Sequence, residues 1–326
     1  MKVVVIGGGA IGARHLEALQ SIDGLTACAV VEFNPIRGRE LADRFGIRAY
    51  VLEDDMYKQE QPDLVIIALP HHLHKVAAVR AADQGCHMLL EKPMALSVQE
   101  CDEIIAAAAR RGVLLMVGHT QQYLPENRKA REIIAGGELG ELIMIHDVRH
   151  VDYFRPERPE WFFVKEASGG GIIANLGSHS IDKIQWLSGS PITKVKASLS
   201  FHGNRGNVEG SGMLFLETAS GVPASITQSG YPGAARSETE LIFTKGMLKI
   251  ETGVGVFVAR NGKYEIVSSE PAAEPLVLQL QELLQSIREG KDPECSGGYS
   301  RSVVAVLESA YLSYETGVEQ NIRHPN

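Results

Sequence analysis

The stretch KVVVIGGGAIG near the start of the chain constrains the fold more than any other feature. Its continuous apolar run, residues 2–6, is typical of a parallel strand that is buried on both faces. The run leads directly into Gly7, Gly9 and Gly12, and a helix-like segment over residues 10–21 overlaps the last of them. In such a turn the glycines allow a tight bend, close approach of the backbone to a pyrophosphate, and close helix–strand packing. The stretch therefore predicts a dinucleotide-binding unit.

An acidic residue at the end of the second apolar run supports this interpretation. Glu32 closes the run TACAVVE and lies 20 residues after Gly12 (32 − 12 = 20), the spacing of a carboxylate that binds a ribose diol. The same carboxylate would repel the 2′-phosphate of NADP, so the sequence favours NAD over NADP. Arg37 and Arg39 are the counter-argument, because an arginine near this strand can accommodate that phosphate. The alternative to a dinucleotide site is a strand-to-helix turn in which the glycines serve only the backbone conformation.

The first part of the chain alternates between strand-like and helix-like segments. The strand-like segments are 2–6, 26–32, 63–70, 87–93 and 113–118. The helix-like segments are 10–21, 35–45 ended by Gly46, 74–85, and the segment from the Ser97–Glu100 capping box to Gly112. This regular alternation predicts an α/β fold with a doubly wound parallel sheet, the Rossmann arrangement.

Beyond about residue 120 the pattern changes to long strands separated by glycine-rich turns. Consecutive strands with short connections favour a large, open, mostly antiparallel sheet. Helical patterns at 275–289 and 300–316 close the chain. We therefore predict a dinucleotide-binding domain over residues 1–120 and an α+β domain for substrate binding and oligomerisation over residues 121–326.

Composition argues against several classes of function. The formal net charge is −8 and the basic residues are dispersed, so nucleic acid is not an expected partner. No apolar run reaches the roughly 20 residues of a membrane span, and the run after Lys2 is too short for a signal peptide. The four cysteines contain no CxxC pair, which fits reduced thiols. We expect a soluble, cytoplasmic, globular protein.

Reactive groups are expected where strands end, because ligands of a doubly wound sheet bind beyond the carboxyl ends of its strands. The stretches ALPHHLH (68–74) and LLEKP (89–93) are two such ends, on the edge that carries the glycine turn. Topology therefore places Lys92 near a bound nicotinamide, where its ammonium could polarise a substrate oxygen. From position alone, an ion pair with Glu91 or exposure to solvent explains Lys92 equally well.

The glycine turn, PHHLH, EKP and the downstream GGGIIANLGSHSIDKIQWL together resemble the glucose–fructose oxidoreductase/inositol dehydrogenase (Gfo/Idh/MocA) family over the whole chain. The resemblance implies an NAD(P)-dependent oxidoreductase acting on CH–OH groups, with a Rossmann domain followed by an open-sheet domain. It implies that Lys92 is catalytic and that Asn175 and His179 are its partners. It also implies that Pro70 and His71 contact the cofactor, and that the protein is a homodimer or homotetramer.

The downstream helical segment supports the same function independently. Asn175, His179 and Asp182 are spaced i, i+4 and i+7, so they share one face of a helix opened by glycines 169–171. A histidine there can take a hydroxyl proton during hydride transfer and return it in the reverse direction. Packing between helix and sheet is the alternative account of His179. The family usually has Asp where this chain has Asn175, and a neutral amide can only orient the imidazole or bind substrate.

The predicted activity is NAD-dependent hydride transfer to or from a carbon of a sugar, polyol or related small metabolite. The residues expected to contact the cofactor are Gly7, Gly9, Ala10, Ile11, Gly12, Glu32, Pro70, His71, His74, Glu91 and Lys92. Two alternatives stay open. One is an NAD-using enzyme that cleaves a glycosidic bond without net redox change, and the other is a non-catalytic NAD-responsive binding protein.

Two further segments are ambiguous. One face of the strand pattern IHDVRHVDYF carries His146, Val148, His150 and Asp152. Such a face could ligate a metal, line a substrate cleft or form a subunit interface, and we expect no metal. The sequence also offers candidates for a sugar site without choosing among them: Tyr153, Arg155, Arg158 and Trp161.

Overall fold

The computed structural model describes residues 1–267 and 274–324. The chain divides into two compact units, Met1–Thr120 with Ala273–Arg301, and Gln121–Ala272 with Ser302–Asn326. The α-helices, in chain order, are α1 (Ala10–Leu19), α2 (Pro35–Phe45), α3 (Glu53–Glu60), α4 (His74–Asp83), α5 (Val98–Arg111), α6 (Pro125–Gly136), α7 (Lys165–Ser168), α8 (Ser178–Ser188), α9 (Pro275–Glu289) and α10 (Gly297–Thr316).

The first unit is built on a parallel sheet of six strands with the order β3-β2-β1-β4-β5-β6. These strands are β1 (Lys2–Ile6), β2 (Thr26–Val31), β3 (Arg48–Tyr50), β4 (Leu64–Ile67), β5 (His87–Leu90) and β6 (Leu115–Val117). Apart from Lys2 at the start of β1, the central strands β1 and β4 are apolar because helices cover both faces of such a sheet, and β4 is completely buried. The predicted doubly wound sheet is confirmed, and the structure adds β3 and α3 to it.

Local capping signals explain where these helices begin and end. Asn34 accepts hydrogen bonds from the backbone N–H groups at the start of α2, and Gly46 ends that helix in the left-handed conformation. The Ser97 hydroxyl accepts from the Glu100 N–H at 3.2 Å, as the capping box predicts. Gly112 ends α5 with φ of +64°.

The segment 273–301 groups with the first unit, whereas the sequence analysis assigned it to the second domain. Helix α9 packs against α1. Arg14 Nη2 lies 2.6 Å from Glu274 Oε1, and Met116 on β6 forms a β-bridge with Ser296. A helical pattern in the sequence shows that α9 forms but not which surface its apolar side covers.

The second unit contains a nine-stranded sheet with the order β14-β13-β12-β11-β7-β10-β9-β8-β15. Its strands are β7 (Leu142–His150), β8 (Ile192–Ser200), β9 (Ser211–Thr218), β10 (Pro223–Ser229), β11 (Arg236–Phe243), β12 (Gly246–Glu251), β13 (Gly255–Arg260), β14 (Lys263–Val267) and β15 (Gln320–Asn321). The β7–β10 pair is parallel and the other neighbours are antiparallel, so the predicted mostly antiparallel sheet is confirmed. The sequence VGVFVARNGKYEIVSS predicts strand structure over residues 254–269, of which residues 268 and 269 lie outside the described residues.

The two faces of this sheet differ in burial. Ile145 and Asp147 on β7 point to the buried face, which we call the inner face. His146, Met213 and Phe215 point to the outer face and are exposed. In the part of the chain that the structure describes, no helix has the length and apolar composition that crossing a membrane requires.

Candidate active site

Strand β1 bends into α1 through a backbone that requires glycine at two points. Gly7 has φ of +103°, and a Cβ on it would lie 2.4 Å from the Ala68 carbonyl oxygen. A Cβ on Gly12 would lie 1.9 Å from the Gly7 carbonyl oxygen, so helix and strand could not pack as they do. Gly9, the N-cap of α1, is exposed, and a Cβ on it would meet no atom within 4 Å. The open space before the first N–H groups of α1 fits a pyrophosphate.

These glycines allow a matched pair of substitutions. Gly9→Ala has room and a φ of −65°, so the melting temperature should stay that of wild type. The new methyl group lies beside the helix N-terminus, so the Kd for NADH should rise about tenfold or more. Gly12→Ala should instead destabilise the protein by about 1–3 kcal/mol, because α1 must move away from β1.

Thermal melts and isothermal titration calorimetry on both variants separate the two effects. Wild-type affinity for NADH in Gly9→Ala would contradict a dinucleotide site at this turn. A wild-type melting temperature in Gly12→Ala would contradict the tight helix–strand contact.

The Glu32 carboxylate is bound to the glycine turn. Its Oε2 accepts from the Gly8 N–H and its Oε1 accepts from the Asn34 N–H, each at 2.9 Å. The side chain is consequently buried. Arg37 Nε donates to the Gly8 carbonyl oxygen at 2.7 Å, which brings its guanidinium to the same turn. Glu32 thus shapes the turn, and Arg37 is the residue that could meet a 2′-phosphate.

The segment after β4 is joined to the segment after β5 by one histidine. His74 Nδ1 lies 2.9 Å from the Pro93 carbonyl oxygen, and its Nε2 lies 2.9 Å from the Leu69 carbonyl oxygen. Burial lowers the pKa of His74, against the opposing effect of these two carbonyls. The ring is completely buried and holds the two strand ends together. Its contact with a cofactor stays a prediction. The neighbouring His71 is buried in a 3₁₀ turn that starts after the half-buried Pro70.

The acid of the EKP segment is held by its neighbours. Glu91 Oε1 lies 2.8 Å from His15 Nε2, and Oε2 accepts from the Lys92 N–H at 3.3 Å. Burial alone would raise the pKa of Glu91, but the hydrogen bond from His15 and the charges of His15 and Lys92 bring it below its usual value. A Cβ on Gly118 would lie 3.1 Å from this carboxylate. Glu91 is therefore packed into the sheet edge, whereas Lys92 is only half-buried.

In the second unit, a buried carboxylate starts the helix that follows the three glycines. Glu209 accepts from the Gly171 N–H at 2.8 Å and from the Ile173 N–H at 2.9 Å. The Tyr311 hydroxyl also donates to its Oε1 at 2.9 Å. Burial raises the pKa of Glu209 although these N–H donors act in the opposite direction. The carboxylate satisfies N–H groups that the start of a helix leaves unpaired.

Asn175 lies in a π-helical turn, Ile173–Gly177, that leads into α8. Such wide turns occur frequently at functional sites, and they change the alignment that the i, i+4 spacing predicts. Asn175 Nδ2 lies 3.5 Å from the hydroxyl of the fully buried Tyr153. Burial raises the pKa of Tyr153 to about 12, so this partner is a neutral hydroxyl. Asn175 is buried, whereas His179 on the first turn of α8 is half-buried.

The packing of α8 on the sheet is fixed by a buried ion pair. Lys183 Nζ lies 2.7 Å from Asp147 Oδ2, and both side chains are at most 5% exposed. Asp147 also accepts from the hydroxyls of Ser180 and Thr239, and Gln228 donates to Ser180. Burial alone would raise the pKa of Asp147, but Lys183 and the two hydroxyls bring it below its usual value. These bonds set the rotation of α8 and hence the direction of the side chains on its other faces.

Replacing Lys183 by methionine should lower the free energy of unfolding by about 3–5 kcal/mol, because Asp147 would become a buried charge without its cation. A matched control exists in the same sheet: Lys194 and Glu217 also lie 2.7 Å apart, but each is 38% exposed. Lys194→Met should therefore cost far less stability than Lys183→Met, because solvent screens the exposed pair. Urea unfolding followed by circular dichroism measures both, and equal losses would contradict the role of the buried pair.

The ion pair between Asp147 and Lys183 also predicts how the stability of the protein depends on pH. The folded-state pKa of Asp147 lies below its usual value of 3.8. Its contribution to stability is therefore fully present above that value and is lost as the pH falls through the lower folded-state pKa. In Lys183→Met, burial without the cation should raise the pKa of Asp147 instead. The difference in unfolding free energy between wild type and Lys183→Met should therefore start to shrink as the pH falls through that raised pKa, and reach its smallest value only under strongly acidic conditions.

The remaining sequence candidates lie at other places in the second unit. His146 is on the outer face of β7, where its Nδ1 contacts the Ser225 hydroxyl. Within residues 1–267 and 274–324, no three His, Cys, Asp or Glu side chains are grouped so that they could hold a metal ion. The Arg158 guanidinium stacks on the Tyr153 ring at 4.1 Å, which makes these two residues part of the packed loop after β7. Arg155 is exposed.

Several residues that shape the site were not identified from sequence: His15, Gln122, Asp147, Lys183, Glu209 and Tyr311. Gln122 Nε2 donates to Asp182 Oδ1 at 2.8 Å, for example. One signal was available, because the period of two along β7 places Asp147 in line with Ile145 on the apolar side. A buried acid in that position needs a partner.

The fold and these sites define a class: a protein with a Rossmann dinucleotide-binding unit and a second unit in which a polar helix packs on a large sheet. The chain belongs to the Gfo/Idh/MocA oxidoreductase family. Residues 1–119 match the family model described as "Oxidoreductase family, NAD-binding Rossmann fold", and residues 127–249 match the family's C-terminal domain. The predictions of the family and of an NAD-binding Rossmann domain are confirmed.

Relatives of known name and solved structures share this arrangement. The chain is 30% identical over 192 residues to a 2,7-anhydro-N-acetylneuraminate hydratase of Mediterraneibacter gnavus, covering 58% of this chain and 50% of the relative. The chain thus spans about half the length of this relative. It is 26% identical over 334 residues to inositol 2-dehydrogenase 1 of Saccharopolyspora erythraea, covering 97% and 95% of the two chains. The crystal structure of GenD2 from gentamicin A biosynthesis in complex with NAD superposes with a TM-score of 0.88 at 27% identity, covering 99% and 96%.

Proposed function

We propose that the protein is an NAD-dependent oxidoreductase that acts on a CH–OH or C=O carbon of a sugar, polyol or related small metabolite. The observation that carries this proposal is the glycine turn, which is closed to a side chain at Gly7 and Gly12 but open at Gly9 in front of a helix N-terminus. When bound there, NAD would accept or supply the hydride. The relatives named as an inositol dehydrogenase and as an NAD complex support the same activity.

Residues of the chain would stabilise the reacting oxygen, transfer the proton and orient the substrate. The Lys92 ammonium would hydrogen-bond the reacting oxygen and stabilise the negative charge that develops on it. His179 would hold the hydroxyl proton during oxidation and return it during reduction. Asn175 would orient the substrate or the imidazole, since a neutral amide cannot stabilise an imidazolium by charge. The residues proposed to surround the cofactor are Gly7, Gly9, Ala10, Ile11, Gly12, Glu32, Pro70, His71, His74, Glu91 and Lys92.

We further propose that the protein prefers NAD, is cytoplasmic and forms a homodimer or homotetramer. Glu32 beside Gly8 supports NAD, because its charge opposes a 2′-phosphate, although Arg37 lies at the same turn. The outer face of the nine-stranded sheet supports self-association, because it exposes Met213 and Phe215 at 62% and 53%. The absence of disulfides among the four cysteines supports a reducing compartment.

A second candidate function is cleavage or hydration of a sugar derivative with transient use of NAD. The similarity to the hydratase of Mediterraneibacter gnavus favours this candidate. Following NADH absorbance and product formation together, with a panel of sugars, inositols and their keto forms, distinguishes the two. With NAD⁺ and a hydroxyl substrate, we expect NADH to accumulate in proportion to product, and with NADH and a keto form we expect NADH to be consumed in the same proportion. Product formed without a net change in NADH would support the second candidate. Binding of NADH without turnover of any compound would support a non-catalytic NAD-responsive protein.

A further inference from the structure

Arg149 is a cation of the second unit to which the proposed function assigns no role. Arg149 lies on β7 two residues beyond Asp147, so it shares the inner face of the sheet and is about 7 Å further along the strand. Its side chain is only partly exposed. Within residues 1–267 and 274–324, the Nε of Arg149 has no hydrogen-bond partner, and its guanidinium forms no ion pair.

Asp147, the acid whose charge acts on Arg149, does not neutralise this guanidinium. Asp147 is already paired with Lys183 at 2.7 Å and accepts from the hydroxyls of Ser180 and Thr239. Asp147 and Lys183 cancel each other's charge, which leaves the guanidinium of Arg149 as a net positive charge. Burial lowers the pKa of Arg149, with Asp147 acting in the opposite direction, yet an arginine stays charged in proteins. A largely buried cation is costly unless an anion meets it.

The position of Arg149 along the strand places it at the start of α8. Asp147 contacts Ser180 and Lys183, whereas Tyr153, further along the chain, contacts Asn175. The strand segment and the helix therefore run in opposite directions. Arg149 lies between Asp147 and Tyr153 in the chain, so it is opposite the part of the helix between Ser180 and Asn175. Its ladder neighbour Gln228 on β10 donates to Ser180, directly beside His179 in sequence.

We propose that Arg149 binds a carboxylate of the substrate, so that the substrate is a hydroxy acid, such as a sugar acid or a cyclic polyol acid, rather than a neutral sugar. This inference rests on the proposed function, because it names the substrate class of the same site. A planar guanidinium can hold a carboxylate through two parallel hydrogen bonds. Such a contact would orient the substrate's hydroxyl-bearing carbons relative to the helix that carries Asn175 and His179.

The test measures binding to the NADH-loaded protein by isothermal titration calorimetry. The probes are matched pairs, D-glucuronate with D-glucose and quinate with myo-inositol, and glucose 6-phosphate serves as the phosphate probe. In wild type, we expect at least one acid to bind about 10- to 100-fold more tightly than its neutral partner. In Arg149→Met this ratio should fall to near one, and in Arg149→Lys it should be intermediate, because an ammonium lacks the bidentate geometry.

Arg236→Met is the matched control, because it removes the same charge from the adjacent strand at an exposed position paired with Glu238. It should leave the acid-to-neutral ratio at its wild-type value. Equal binding of acids and neutral partners by wild type, an unchanged ratio in Arg149→Met, or a stronger preference for the phosphate probe would overturn the proposal. Because binding rather than turnover is measured, a protein that binds acids but oxidises none of them would contradict only the proposed dehydrogenase activity.

Discussion

Replacing Lys92 with methionine should lower kcat about 1,000-fold while NADH still binds. The reason is the charge that develops on the substrate oxygen as hydride is transferred, which only a fixed donor or cation stabilises in a site that excludes water. Methionine has a similar length and no charge, so it removes that interaction and retains most of the packing. Steady-state kinetics on the true substrate, with calorimetric NADH binding, measure both quantities.

Two control variants make this result specific to Lys92. Lys58→Met removes an exposed lysine from α3 of the same unit and should leave kcat unchanged. Lys92→Arg keeps a cation with a different shape and should recover part of the lost rate. Near-normal kcat in Lys92→Met would remove Lys92 from the catalytic residues and leave it as a structural partner of Glu91.

His179→Gln should lower kcat about 100- to 10,000-fold, because glutamine cannot take up or return a proton near neutral pH. Glutamine retains hydrogen-bonding capacity, so the folded structure and the affinity for NADH should persist. The pH–rate profile adds a readout that a purely structural role would not change. We expect the profile of the variant to lose the limb that depends on the imidazole.

His146→Gln is the matched control, because His146 is exposed on the outer face of the second-unit sheet. It should change neither kcat nor the pH profile. The double variant Lys92→Met, His179→Gln then tests whether both residues serve one chemical step. Groups that act together give losses that are far from additive. Simple addition of the two losses, or a His179→Gln profile identical to that of wild type, would contradict a shared proton-and-hydride step.

Local patterns in the sequence were sufficient to predict the elements of the first unit except β3 and α3. The apolar runs at residues 2–6 and 63–70 contain β1 and β4, and the signals at Pro35 and Ser97 mark the starts of α2 and α5. These signals work because they depend on residues only a few positions apart. Strand β3 escaped prediction because three residues, Arg48–Tyr50, are too short to show a period.

The contacts that shape the candidate site connect distant parts of the chain. His15 and Glu91 are 76 residues apart, Glu209 and Gly171 are 38 residues apart, and Gln122 and Asp182 are 60 residues apart. No periodicity links such positions, so a single sequence does not show that they meet. The π-helical turn around Asn175 is of the same kind, because the i, i+4 spacing to His179 suggested a regular helix.

The sequence by itself determined the fold class and the family. The reason is that glycine spacing, apolar periods and the EKP segment can be recognised from residues that are close together in the chain. Tertiary structure decided which charges are compensated. Asp147 meets Lys183 and Glu91 meets His15, whereas among the residues that the structure describes no anion is paired with Arg149. The physical reason is that the cost of a buried charge depends on what lies within a few ångströms of it, and that distance is set by the packing of helix on sheet.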